Sequence, residues 1–141
     1  MLPRTALLDS AVPILANGTE YELRAACVRL LDLGSSGRIE LFASTEMIQE
    51  FVFHRLRRTG DRHRAVAEGE ALMGFVVTLP FDDSILRRSF GLMRSTGVRG
   101  RDAIHAATAL AHGLEYIISP DDDFDGLPGL ERLDPRSCVG H

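Results

Sequence analysis

The sequence predicts an α/β fold: three α/β/α layers around a central, mainly parallel sheet of four to five strands. Three observations predict it. Short apolar runs of strand length alternate along the chain with longer segments of helical period. That alternation implies parallel strands with helices on both faces of the sheet. The 141 residues fill about one domain, and no repeat, linker or low-complexity segment divides them. Residues 1–141 are therefore read as a single domain.

The elements follow in order. Thr5–Leu8 is an apolar run ended by Asp9 and reads as a buried strand. The spacing of Leu23, Cys27, Leu30 and Leu31 predicts a helix over Glu20–Gly34, with Gly34 as its stop. Arg38–Ala43 reads as the second strand. A helix follows over Thr45–Arg58, with Gly60 after it, and another over Arg62–Met73. Gly74–Leu79, carrying Phe75, Val76 and Val77, reads as the third strand. Asp82–Ser95 reads as a helix with Asp82 or Asp83 near its N-terminus. Asp102–His112 is Ala-rich and helical, stopping at Gly113. Tyr116–Ser119 reads as the fourth strand, and Leu130–Leu133 as a short fifth closed by Pro135.

Composition narrows the function classes. Hydrophobic residues make up 45% of the chain, with no Trp and only 6% aromatics, so aliphatic side chains and Ala must fill the core. No stretch approaches the roughly 20 apolar residues of a membrane span. Asp9 and Pro13 interrupt the apolar run Ala6–Ala16, which argues against a signal peptide. Cys27 and Cys138 stand far apart and outside any CxxC pair, and read as free thiols in a reducing compartment. A cytoplasmic protein without membrane contact is expected.

The net charge of −4 does not suggest a nucleic-acid binder, but the distribution is more specific. Lys is absent, so all 16 basic residues are Arg. Several fall between Arg55 and Arg64, and others at Arg87, Arg88, Arg94, Arg99 and Arg101. Arg pairs bidentately with phosphate, and Arg55, Arg58, Arg99 and Arg101 are the candidates for a phosphate backbone. The plainer reading is solvated helix faces. The acids have their own focus at Asp121, Asp122, Asp123 and Asp125. A basic rim around an acidic focus is expected where metal ions sit between carboxylates and phosphates.

Four segments can deliver carboxylates to one edge. Asp9 and Asp121 each follow a predicted strand, and ligands collect at the carboxyl ends of parallel strands. Glu50 lies in the helix after the second strand, and Asp102 opens the Ala-rich helix. Asp9 and Asp102 could each simply cap a helix. Glu50 sits among Met47, Ile48, Phe51 and Val52, where a carboxylate needs a partner or an exposed face. Glu46, four residues earlier, shares its face and is the reserve candidate; His54 shares it too. Asp121, Asp123, Asp125 and Gly126 match the first half of a calcium loop, but its twelfth position is Arg132 where a bidentate Glu is needed. The position two after Asp9 is Ala11, which excludes a haloacid-dehalogenase phosphatase. The lack of Lys excludes a receiver domain, and neither a P-loop nor GxGxxG is present.

Taken together, four segments resemble the PIN-domain nucleases: Leu7-Leu8-Asp9-Ser10, Glu50-Phe51, Arg101–Ala109 and Ile117–Phe124. The resemblance runs from about Thr5 to Pro135, and the chain's small size points to the VapC-type toxins of bacterial VapBC toxin–antitoxin pairs. Pro120 stands where that family usually has a polar residue, and Asp122 and Asp125 are extra acids. The resemblance implies a PIN-like fold and an endoribonuclease that leaves a 3′-hydroxyl and a 5′-phosphate. It also implies a VapB-like antitoxin partner and a homodimer.

Clustered carboxylates repel by roughly 4 kcal/mol per pair at 4 Å and an effective dielectric near 20. Either protons or a cation must relieve this, and for a cation all-oxygen ligands favour Mg²⁺, with Mn²⁺ able to substitute. The expected catalytic set is Asp9, Glu50, Asp102 and Asp121. Asp9, Asp102 and Asp121 are expected to hold the metal, Asp123 a second ion, and Glu50 to ligate or orient the attacking water. Ser10 and Ser119 are expected to hydrogen-bond the carboxylates. Two competing readings are a catalytically inactive PIN-like module for binding or dimerisation, and a DNA flap nuclease, for which the chain has little room.

Overall fold

The computed structural model describes residues 2–19 and 21–140. Five strands form one sheet: β1 (Thr5–Leu8), β2 (Glu40–Ser44), β3 (Val77–Leu79), β4 (Tyr116–Ile118) and β5 (Glu131–Leu133). Every pair is parallel, in the order β3-β2-β1-β4-β5. The central strand β1 is buried on both faces from Ala6 to Leu8, so those residues are apolar in succession rather than alternating. Its residues still point alternately to two cores. Ala6 and Leu8 join one cluster with Val12, Cys27, Leu30, Leu41, Met47 and Phe51. Leu7 joins the other with Ala103, Ala106, Ala109, Ile117 and Phe124.

Those two cores define the layers. On one face lie α1 (Ala11–Ala16), α2 (Tyr21–Ser35), α3 (Thr45–Thr59), α4 (Arg62–Met73) and the short α7 (Pro135–Val139). On the other lie α5 (Asp83–Ser95), α6 (Gly100–Ala111) and a 3₁₀ turn, Asp122–Phe124. The expected three-layer α/β/α architecture is the one observed.

The helix starts have local causes. Ser44, Asp61, Asp82 and Asp134 each accept a backbone N–H in the first turn of α3, α4, α5 and α7. Gly60 ends α3 in the left-handed region, φ +66°. Gly34 behaves differently from expectation. It lies inside the last turn of α2, where an added Cβ would collide with the Leu41 side chain, and the chain turns at Gly37 instead. The expected start of that helix, Glu20, lies outside the described residues.

Three strands start later than expected: β5 by one residue, at Glu131, and β3 and β2 by more. Gly74 and Phe75 still hydrogen-bond back to the last turn of α4, so β3 begins only at Val77. Arg38 N–H is held by Leu33 O at the end of α2, so β2 begins at Glu40. Helix α6 starts at Gly100, with Arg99 at the N-cap, so Asp102 lies within its first turn and is not the cap. The separate helices α1 and α7 and the 3₁₀ turn are additions. Each is too short for a periodic signal, and Pro135 opens α7 as well as following β5.

Candidate metal centre

In this sheet the chain extends from β1 to β2 on one side and later returns to place β4 on the other. Strand order therefore reverses at β1, and the carboxyl ends of β1 and β4 border the crevice where such folds bind ligands. Asp9 follows β1 directly, and its N–H bonds to Ile118 O across that boundary at 3.1 Å. The residue is 5% exposed. Ser119, just beyond β4, donates its hydroxyl to Asp9 Oδ2 at 2.8 Å and accepts the Asp121 N–H at 3.0 Å. Asp121 in turn accepts the Asp123 N–H at 2.9 Å, which turns the chain into the 3₁₀ segment. One serine thus ties the first acid to the last acidic run.

Carboxylate oxygens of Asp102, Asp121 and Asp123 all lie within 4.8 Å of one another. Asp9 is not in that set but stands next to it, because its charge is the second cause raising the Asp102 pKa. Burial is the first cause, and Asp121 and Asp123 add to it, against a lowering by His105; together they push Asp102 up to about 6. Asp9 is also raised, first by burial and further by Glu50, against lowering by His105, the Ser119 hydroxyl and the Ser10 backbone. Carboxylates that resist ionisation through burial and mutual repulsion are poised to accept a cation.

The other acids of the run are placed apart. Asp125 is bound bidentately by Arg132 at 2.7 and 3.2 Å, which holds its carboxyl below the usual range. Asp122 is exposed and outside the cluster. The cluster borders a cleft of about 520 Å³ whose lining includes Arg99, Asp102, Asp123 and Leu127.

Glu50 approaches from α3, on the second core's opposite face. Its Oε1 lies 2.7 Å from His105 Nε2, and Arg101 Nη1 lies 3.8 Å from Oε2. His105 is fully buried, and its Nδ1 meets Ser44 Oγ at 3.0 Å. Neither His105 nor Ser44 was singled out by the sequence reading. The available signal was spacing: His105 lies three residues after Asp102, on the same side of α6. Glu46 pairs with Arg101 at 3.4 Å and lies outside the acid cluster.

Two expectations need correction. Arg55 does not face a substrate: its side chain is 7% exposed and forks onto Glu68 of α4 at 2.8 and 3.2 Å. It belongs to the α3–α4 contact. Among the described residues no carboxylate accepts from the Ser10 hydroxyl; Ser10 reaches Asp9 through its backbone instead. Arg58 and Arg99 are exposed, as is Arg101 beyond its contacts with Glu46 and Glu50. Arg58 and Arg101 share a second cleft with Glu50, Phe53 and His54. Cys27 and Cys138 are both buried and form no disulfide.

Comparison with known proteins adds four findings. The family described as the PIN domain matches residues 6–130. Ribonuclease VapC7 of Mycobacterium tuberculosis is 33% identical over 135 residues, covering 94% of this chain and 92% of its own. Ribonuclease VapC13 of the same organism is 30% identical over 129 residues, covering 90% and 98%. Among solved structures, a chain from a toxin–antitoxin complex of Klebsiella pneumoniae superposes with a TM-score of 0.69 at 24% identity, covering 93% and 98%.

Proposed function

The chain belongs to the PIN-domain family, and from that premise we propose that it is a metal-dependent endoribonuclease, the toxin of a type II toxin–antitoxin pair. Relatives named as VapC ribonucleases support the activity. The observation that carries it is the meeting of Asp102, Asp121 and Asp123 beside buried Asp9 at the sheet's switch point.

The residues present fit a hard divalent cation. The donors are all carboxylate oxygens, and burial with the neighbouring acids pushes Asp102 up to about 6 despite the opposing effect of His105. We assign Asp9, Asp102 and Asp121 to one Mg²⁺ or Mn²⁺ and Asp123 to the same ion or a second. A divalent ion held there would supply Lewis acidity to a water and positive charge to the phosphate. The remaining work belongs to the side chains. Glu50 orients the attacking water and takes its proton. The Ser119 hydroxyl fixes the Asp9 carboxylate, and its acceptance of the Asp121 N–H keeps both acids in register. Arg99, Arg58 and Arg101 are exposed beside the clefts and suit the RNA backbone.

An antitoxin partner is supported by neighbours solved as VapBC complexes, including one from Salmonella typhimurium. A homodimer is supported by Leu86, Phe90 and Met93, which recur along α5 at 37%, 46% and 45% exposure. No described helix is long and apolar enough to cross a membrane. RNA as the substrate favours the cytoplasm.

The test is cleavage of total cellular RNA by the purified protein with Mg²⁺, with EDTA, and as Asp9→Asn with Mg²⁺. Discrete fragments should appear only for the wild type with metal. A fully active Asp9→Asn protein would sink the assignment.

A further inference from the structure

Four of the five acids around the site are set by strand ends or by the first turn of α6. Glu50 is the exception, since it stands in the middle of α3 on a side chain with three rotatable bonds. Something must hold its carboxylate if it is to act on one water. Exposed Arg101 reaches its Oε2 only at 3.8 Å, whereas the fully buried imidazole of His105 lies at hydrogen-bond distance, 2.7 Å from Oε1.

The ring's own orientation is decided by Ser44. That hydroxyl is also fully buried and already accepts the Met47 N–H at 2.9 Å as the cap of α3. Its own proton therefore needs an acceptor, and His105 Nδ1 at 3.0 Å is in place. With Nδ1 accepting, the ring proton sits on Nε2 and is donated to Glu50. The chain Met47 N–H, Ser44 O–H, His105 Nε2–H, Glu50 is then satisfied at every link. Because His105 is on α6 one turn after Asp102, the same helix carries a cluster acid and the group that holds Glu50.

We propose that His105 is a positioning residue: its imidazole, oriented by Ser44, fixes the Glu50 carboxylate beside the acid cluster in the geometry that hydrolysis uses. This rests on the nuclease reading above. It acts through Glu50, so its loss should slow the chemical step and leave RNA binding alone.

The test compares single-turnover cleavage of a defined RNA by wild type, His105→Leu, His105→Gln, Glu50→Gln and the Leu/Gln double variant. His105→Leu should lower the rate about 10- to 100-fold with KM within about twofold. His105→Gln, which keeps an N–H donor, should recover part of the loss. On the Glu50→Gln background, His105→Leu should cost nothing further. A wild-type rate for a folded His105→Leu protein, or losses that multiply in the double variant, would overturn the proposal. Should His105→Leu not fold, nitrogen-15 NMR of the wild-type ring decides. A proton on Nε2, with a shift of that signal in Glu50→Gln, supports the clamp; a ring protonated on Nδ1 alone, with Nε2 bare, refutes it. A wild type that cuts no RNA would remove the nuclease reading and the catalytic use of the clamp, while the NMR result would still report whether the clamp itself exists.

Discussion

Asp102 concentrates the electrostatics of this protein in one carboxyl. Burial and three neighbouring acids lift it from 3.8 to about 6. A carboxyl whose folded pKa lies above its unfolded value contributes stability that is complete below the unfolded pKa and is lost as pH rises through the folded one. In EDTA the protein should therefore lose stability between about pH 4 and pH 6, with Asp9 acting in the same direction. Glu68 and Asp134 are shifted the other way, so their contribution falls away only at more acid pH. Asp102→Asn should remove part of the slope and raise the melting temperature in EDTA at pH 7. The gain should be about 1 kcal/mol, because solvent screens a half-exposed group. Calorimetric titration with Mn²⁺ should show the wild type binding more weakly at pH 5.5 than at pH 7.5, since the ion must displace a proton. Equal affinity at the two pH values would argue against Asp102 as a ligand. At this scale the acids were legible in the sequence because carboxylates after strands are an explicit pattern. The partner of Glu50 was not, because a His among Ala residues looks like ordinary helix interior until α3 is packed against it.

The α3–α4 hairpin shows what element packing decides. Gly69 of α4 lies where a Cβ would run into the Val52 side chain of α3. Gly69→Ala should cost about 1–3 kcal/mol in urea unfolding as the helices are forced apart. Arg55 and Glu68 bind the same pair of helices, and Arg55→Ala should cost about 2 kcal/mol by leaving Glu68 without its fork. RNA affinity should be unchanged in Arg55→Ala; a large loss of affinity would restore Arg55 to the substrate surface. The arginine run 55–64 gave no internal sign of which members point inward, because a charged residue's burial depends on whether a neighbouring helix supplies its counter-ion. Element positions were more legible. The expected bounds of α3, α4 and α5 match the observed helices closely, whereas the stop expected at Gly34 falls inside α2 and the chain turns at Gly37.

Across the whole molecule, a net charge of −4 means that any RNA must be drawn by local arginines against an unfavourable overall field. Binding of RNA to the Asp9→Asn variant should weaken as salt rises. Replacing Arg58 or Arg99 with Ala should each reduce the slope of log affinity against log salt by about 0.7, the counterion release of one single-strand phosphate contact. A flat salt response would remove the phosphate role of both. By itself the sequence determined the α/β class, the order of the strands along the chain and the acids that follow them. Those depend on local period and on residue type, which are written along the chain. Only the tertiary structure decided that Asp121 and Asp123 join Asp102 while Asp125 is taken by Arg132, that Arg55 is internal, and that His105 holds Glu50. Each of these is a choice among partners distant in sequence, settled by burial and distance once strand β1 stands at the centre of the sheet.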